Sequence, residues 1–146
     1  MLSGIRVLDM TNVLAGPFCC HQLAHMGAEV IKIEAVGRGD LARQLGSDKD
    51  LSAAKMGISF LAQNSGKKSL SLDLKSEDGK AIFQRLLATA DVLVENFRPD
   101  VPWVVLVVVV VAVLKVVVVA VVVAEIFHRC FRLVSSCLVL FRFVLL

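Results

Sequence analysis

Glycine is absent from the last 46 residues of this 146-residue chain, and so are aspartate, asparagine, glutamine, threonine and methionine. A segment with so few turn formers and polar side chains lacks what a globular domain uses to reverse direction and to face water. Valine fills 19 of those 46 positions, while all nine glycines lie in residues 1–100. The chain therefore divides near Asp100–Pro102 into two unlike segments, 1–100 and 101–146.

Tyrosine is absent throughout, and no basic stripe is interleaved with aromatics, so the sequence offers no nucleic-acid surface. Residues 1–100 hold 12 basic and 12 acidic side chains. The formal charge of +3 thus belongs to the tail, where Lys115, Arg129, Arg132 and Arg142 face only Glu125. A CxxC pair is also missing. Cysteines 19, 20, 130 and 137 form no extracellular-looking framework, which predicts reduced thiols and a cytoplasmic setting. The opening MLSGIRVLDM carries Arg6 and Asp9 and no apolar core of signal-peptide length, so no secretory signal is expected.

What is present in the first segment alternates between strand and helix patterns. Ile5–Met10 reads as a first strand. Pro17 suits the first position of a helix running to Met26, with Gly27 placed to cap it. Glu29–Glu34, rich in β-branched residues, reads as a second strand, and residues 35–57 as a loop. Leu70, Leu72 and Leu74 alternate with polar residues, the period of a half-buried strand. Ser76 is placed as the N-cap of a helix burying Ala81, Ile82, Leu86 and Ala90, and Asp91–Glu95 is a further buried strand. The order predicts an α/β class: a partial, Rossmann-like and mostly parallel sheet with helices. Ligands of such sheets gather at the carboxyl ends of the strands, here loops 11–16, 35–40 and 96–99.

Three local patterns have both a functional and a structural reading. Glu34 ends the second strand 18 residues after Gly16, roughly where a ribose-binding acid stands in a dinucleotide site. The intervening loop NVLAGP lacks two of the required glycines, so a surface acid is the favoured reading. His21 and His25 share a helix face, but a metal needs three or four ligands, so no metal is assigned. Gly66-Lys67-Lys68-Ser69 precedes a strand where a phosphate-binding loop precedes a helix; it reads as a basic turn. With Lys75, its lysines would form a positive surface for an anionic cofactor.

The blocks GIRVLDMTNVLAGPFCCHQLAHMGAEVIKIE, GRGDLAR and SFLAQNSGKKSLSLDLKSEDGKAIFQRLLATADVLVENFRP resemble the start of class III CoA-transferases, the CaiB/BaiF family. The resemblance runs from Leu2 to about Asp100. It implies transfer of CoA from an acyl-CoA to a carboxylic acid. An aspartate carboxylate attacks the thioester, and mixed anhydrides and an enzyme-bound CoA thioester follow. It implies no permanently bound cofactor, with CoA or acyl-CoA as substrate, and a homodimer whose subunits interlock. Position by position it implies that Leu14 and Ala15 lie against the cofactor, that Leu72 and Lys75 line its adenosine and phosphate end, and that Asn96, Phe97 and Arg98 meet it at a strand end. Some relatives carry Arg just after the second strand's Glu; Ala35 stands there in this chain, and Arg38 is the nearest substitute. The region that would supply the nucleophilic aspartate has no counterpart, so no catalytic residue is assigned and a truncated, inactive enzyme is expected.

The tail departs from that pattern at once. Trp103–Ala124 is a valine-dominated run broken only by Lys115, as a triplet repeat read in a shifted frame would produce. Its 22 residues are also long enough to span a bilayer. One central lysine costs about 3 kcal/mol on insertion scales, which Val and Leu at about 0.3–0.6 kcal/mol each outweigh. Membrane association through the tail is the competing expectation.

Overall fold

A computed structural model of the chain describes residues 1–97, together with the backbone of residues 117–121 and 141–144. Strands β1 (Arg6–Asp9), β2 (Glu29–Glu34), β3 (Lys68–Ser71) and β4 (Val92–Glu95) pair in parallel. They alternate with helices α1 (Ala15–His25), α2 (Lys49–Ala53), α3 (Ile58–Asn64) and α4 (Glu77–Leu87). The sheet order is β3-β2-β1-β4, continued by β5 (Val117–Val121), parallel to β4, and β6 (Phe141–Val144), antiparallel to β5. This is the α/β, Rossmann-like architecture that the sequence predicts.

Both faces of the parallel sheet are covered, which is why its strands read as nearly continuous apolar runs. Leu8, Ile33 and Leu93 point to the face covered by α4, where they meet Phe83 and Leu87. Val7, Val30 and Val94 point to the opposite face and pack with Cys20 of α1. Side-chain alternation then places Asp9 and Lys32 on the α1 face as well, opposite each other in register.

Several boundaries differ from the sequence-based expectation. Helix α1 begins at Ala15, two residues before Pro17, and Phe18 N–H donates to Leu14 O at 2.9 Å. No first-turn N–H has an intrahelical partner, so proline is tolerated anywhere in that turn. Gly27 does follow the helix, at φ +99°, with its N–H on Ala24 O. Strand β3 ends at Ser71, because Asp73 Oδ1 takes the Lys75 N–H and turns the chain. Leu72 is nonetheless buried. Residues 35–57 are not all loop. Asp40 caps a 3-10 turn at Leu41–Gln44, and Asp48 caps α2. Helix α4 buries Gly79, Phe83 and Leu87, and the expected Leu86 and Ala90 pack half-buried against the same core; Ala81 and Ile82 are exposed, because Phe83 takes the core face in that turn of the helix.

Candidate functional site

Because β1 to β4 run in parallel, the segments that follow them all emerge at one end of the sheet. The order of connection reverses between β1 and β4, where an open α/β sheet leaves a crevice. The two loops flanking that crevice are tied together. Asn12 N–H donates to Asn96 Oδ1 at 3.0 Å, and Asn96 Nδ2 donates to Asn12 O at 3.0 Å. Beside this pair, Val13 and Leu14 face solvent, as does Phe18 one turn into α1.

The residues singled out in the sequence gather at this end of the sheet. Leu14 is 61% exposed as the residue before α1, and Ala15 is the first residue of that helix. Asn96 and Phe97 follow β4; Phe97 packs against the core on the α4 face. Arg38 is exposed in the turn after β2. After β3, Leu72 is 8% exposed within the core, whereas Lys75 is exposed. Three strand spacings, about 14 Å, separate the β3 end from the β4 end. Arg98 lies outside the described residues, as does the candidate membrane span apart from the backbone of 117–121. Among the described residues, no helix is long and apolar enough to cross a membrane.

Beneath the loops lies a buried ionic network. Lys32 Nζ pairs with Asp40 Oδ2 at 2.9 Å, stands 3.8 Å from Asp9 Oδ2, and donates to Thr11 O at 2.8 Å. Lys67 Nζ pairs with the same Asp9 oxygen at 2.8 Å and donates to Pro17 O and Asn64 Oδ1. The Lys67 side chain is only 2% exposed, so the expected positive surface of Lys67, Lys68 and Lys75 does not form. Asp9 draws Lys67 inward from that turn, and Lys68 pairs with Glu29. Burial pushes the Lys67 ammonium below the ordinary lysine range, against the pull of Asp9. Burial and the neighbouring Asp9 carboxylate likewise raise the thiols of Cys19 and Cys20, leaving neither an activated nucleophile.

Glu34 is not the surface acid expected: it is buried, because its carboxylate is filled by donors from three segments. Arg43 grips both carboxylate oxygens at 2.7 Å, Ser69 Oγ donates to one, and Asp40 N–H to the other. Arg43 in turn stacks over the Phe60 ring at 3.7 Å. No oxygen is left to receive a ribose hydroxyl in the manner of a dinucleotide site. Burial alone would raise the Glu34 carboxyl, but Arg43 and the other donors hold it at about 2. Its stabilisation is therefore complete above the ordinary value near 4.5 and is lost as pH falls through about 2. Arg43→Gln is expected to cost about 2 kcal/mol at neutral pH by leaving this acid short of donors. In urea melts the difference from wild type should shrink as pH falls below 4.5.

The histidines of α1 come together as their spacing predicts. His25 Nε2 lies 3.0 Å from His21 Nε2, and His21 Nδ1 lies 3.2 Å from Ser65 O. Among the described residues, no group of three or more His, Cys, Asp or Glu is arranged to hold a metal.

Asn12, Val13 and Asp40 lie in loops that the sequence marks, without individual roles, whereas Lys32 lies outside them. A signal for Lys32 was available: a lysine flanked by isoleucines in EVIKIE, within a strand covered on both faces, must find a buried partner.

The profile of CoA-transferase family III matches residues 2–103. The chain belongs to that family. Formyl-CoA:oxalate CoA-transferase of Escherichia coli O139:H28 is 46% identical over 99 residues, which are 67% of this chain and 23% of that protein. The same figures hold for the enzyme of that name from Shigella boydii serotype 18. A hypothetical protein from Mycobacterium tuberculosis superposes with a TM-score of 0.69 at 38% identity, over 82% of this chain and 31% of that one. A CaiB/BaiF family protein from Brucella suis gives 0.68 at 28% identity, over 81% and 32%. This member of CoA-transferase family III thus spans less than a quarter of the length of the curated relatives it matches.

Proposed function

We propose that residues 1–100 are the CoA-contacting α/β part of a class III CoA-transferase, and that this chain by itself transfers no CoA. The family reaction moves CoA from an acyl-CoA to a carboxylic acid through an aspartyl intermediate, with no permanent cofactor. The observation that carries the reading is convergence. Leu14, Ala15, Arg38, Leu72, Lys75, Asn96 and Phe97 all follow the carboxyl ends of parallel strands, in a chain whose family uses CoA. Arg98 completes the proposed set. Exposed Leu14 and the first turn of α1 would meet the ligand at the crevice, and the exposed cations Arg38 and Lys75 its phosphates. The occupied Glu34 carboxylate argues against a nicotinamide dinucleotide in the same place.

The intact enzyme would act as a homodimer in the cytoplasm, with short acyl-CoA and carboxylate partners of the kind named for the relatives. Residues 101–146, although β5 and β6 extend the sheet beside β4, would have no part in the CoA site and would arise from a shifted reading frame. Reading the gene in all three frames around codon 100 tests that origin. An intact frame confirmed in the purified protein would overturn it.

Calorimetric titration of the full chain with CoA and with NAD tests the main reading. Binding of CoA alone is expected, and binding of NAD alone would sink it. Lys75→Ala should weaken CoA by about fivefold at low salt and less at high salt, because an exposed charge on phosphate is screened. Dephospho-CoA should be insensitive to the substitution if Lys75 meets the 3′-phosphate. Equal loss for both ligands would move Lys75 elsewhere.

A further inference from the structure

Among the described residues, two that are not glycine adopt positive φ: Val13 at 74° and Lys55 at 58°. For a β-branched residue the left-handed region is a true outlier, and it persists only where the surroundings impose it. Two buried side chains hold the turn on either side of Val13, in addition to the Asn96 bonds to Asn12. On one side Lys32 Nζ donates to Thr11 O at 2.8 Å. On the other, Asp40 Oδ1 accepts the Val13 N–H at 3.0 Å. The two are joined by the 2.9 Å ion pair between Lys32 Nζ and Asp40 Oδ2, with side chains 1% and 0% exposed. Asp9 fixes the start of the same turn by accepting Thr11 N–H at 2.9 Å.

A buried ion pair is a weak source of net stability, because an apolar pair of similar volume often serves as well. What it supplies is direction: each charge demands its particular partners. Here those partners are the two ends of one strained turn, and the turn leads straight into Leu14, Ala15 and Gly16, where α1 begins.

We propose that Lys32 and Asp40 are positioning residues for CoA: their ion pair sets the Val13 turn and so aims the Leu14–Gly16 segment at the crevice between β1 and β4. The inference rests on the CoA reading above. Both side chains are sealed from solvent, so they act through the loop and not by touching the ligand.

The full chain carrying Lys32→Met together with Asp40→Asn tests this. The pair of substitutions removes both charges while an amide oxygen still accepts from Val13 and Ala42. Amide exchange over residues 11–16 should become about tenfold faster, with α4 unchanged as an internal reference. The Kd for CoA should rise about tenfold, as loss of preorganisation predicts. Where α4 also loosens, Asp40→Asn alone serves, with the same changes in smaller measure. In a Val13→Gly variant the turn no longer needs imposing, and the same substitutions should weaken CoA by no more than about twofold.

Faster loop exchange with unchanged CoA affinity would make the pair merely structural and overturn the proposal. Unchanged exchange would overturn it too, as would a full tenfold loss in the Val13→Gly variant. A wild-type chain that binds no CoA would instead sink the reading on which the proposal rests.

Discussion

Gly79→Ala is expected to destabilise the chain by about 3 kcal/mol, at the upper end of what overpacking costs. Gly79 is the third residue of α4, and a Cβ there would fall inside the carbonyl oxygen of Asp73. That carbonyl is backbone, and Ser76 holds it with two hydrogen bonds. It accepts from Ser76 N–H at 3.2 Å and from Ser76 Oγ at 2.8 Å. Ser76 Oγ also caps the helix by accepting the Gly79 N–H at 3.0 Å. The added methyl therefore cannot displace Asp73 without breaking the cap.

Phe83 and Leu87 follow on the same face of α4 and reach Leu8, Ile33 and Leu93 of the sheet. A shifted first turn would pull both from the core, so the loss is not confined to the turn. Urea unfolding provides the measurement. Ser76→Ala, which removes only the cap, sets the scale at about 1 kcal/mol. Lys80→Ala, on the exposed side of the helix, should leave the midpoint unchanged. A loss for Gly79→Ala no greater than that for Ser76→Ala would show that the Asp73 carbonyl moves freely and that α4 tolerates another docking.

What the sequence discloses follows the range of the interactions involved. The bounds of β2 at Glu29–Glu34 were legible because β-branched residues run between Gly27 and a polar stretch. The Ser76 cap was legible because its partner lies three residues away. On α4 the spacing finds Leu86 and Ala90 at the core edge but not Phe83, since it allows a stripe through Ile82 or through Phe83, and only contact with Leu8 and Leu93 chooses. The helical turns at 41–44 and 49–53 were hidden in a glycine-rich, charged stretch. Their capping acids, Asp40 and Asp48, were visible, but no amphipathic run followed them. The candidate site divides in the same way. Its exposed members came from family resemblance. The network beneath joins Asp9 to Lys67, 58 positions away, and Lys32 to Asp40 across a turn. No local pattern announces such pairs, although a charged residue inside an apolar parallel strand signals that one must exist.

The purified chain is expected to transfer no CoA from formyl-CoA or any other acyl-CoA to a carboxylate above the uncatalysed rate. The family's chemistry needs an aspartate carboxylate free to attack a thioester carbonyl, with donors ready for the oxyanion that develops. Five of the seven aspartates among the described residues are engaged by the fold. Asp9 is held by Lys67 and Thr11, and Asp40 by Lys32, Val13 and Ala42. Asp48 caps α2, Asp73 accepts from Lys75, and Asp91 accepts the Arg6 N–H at 2.8 Å. Asp50 and Asp78 lie exposed in the first turns of α2 and α4, where water solvates the carboxylate and nothing excludes it from a reacting centre. Asp100 lies outside the described residues. Quantifying acyl-CoA and free CoA over time, with the chain at high concentration, gives the test. Turnover abolished by replacing one of these aspartates with asparagine would refute the expectation. Joining residues 1–100 to the remaining length of a family member should restore transfer, because the loops at the carboxyl end of the sheet are already in place. A fused protein that folds and binds CoA but stays inactive would show that these loops are not competent.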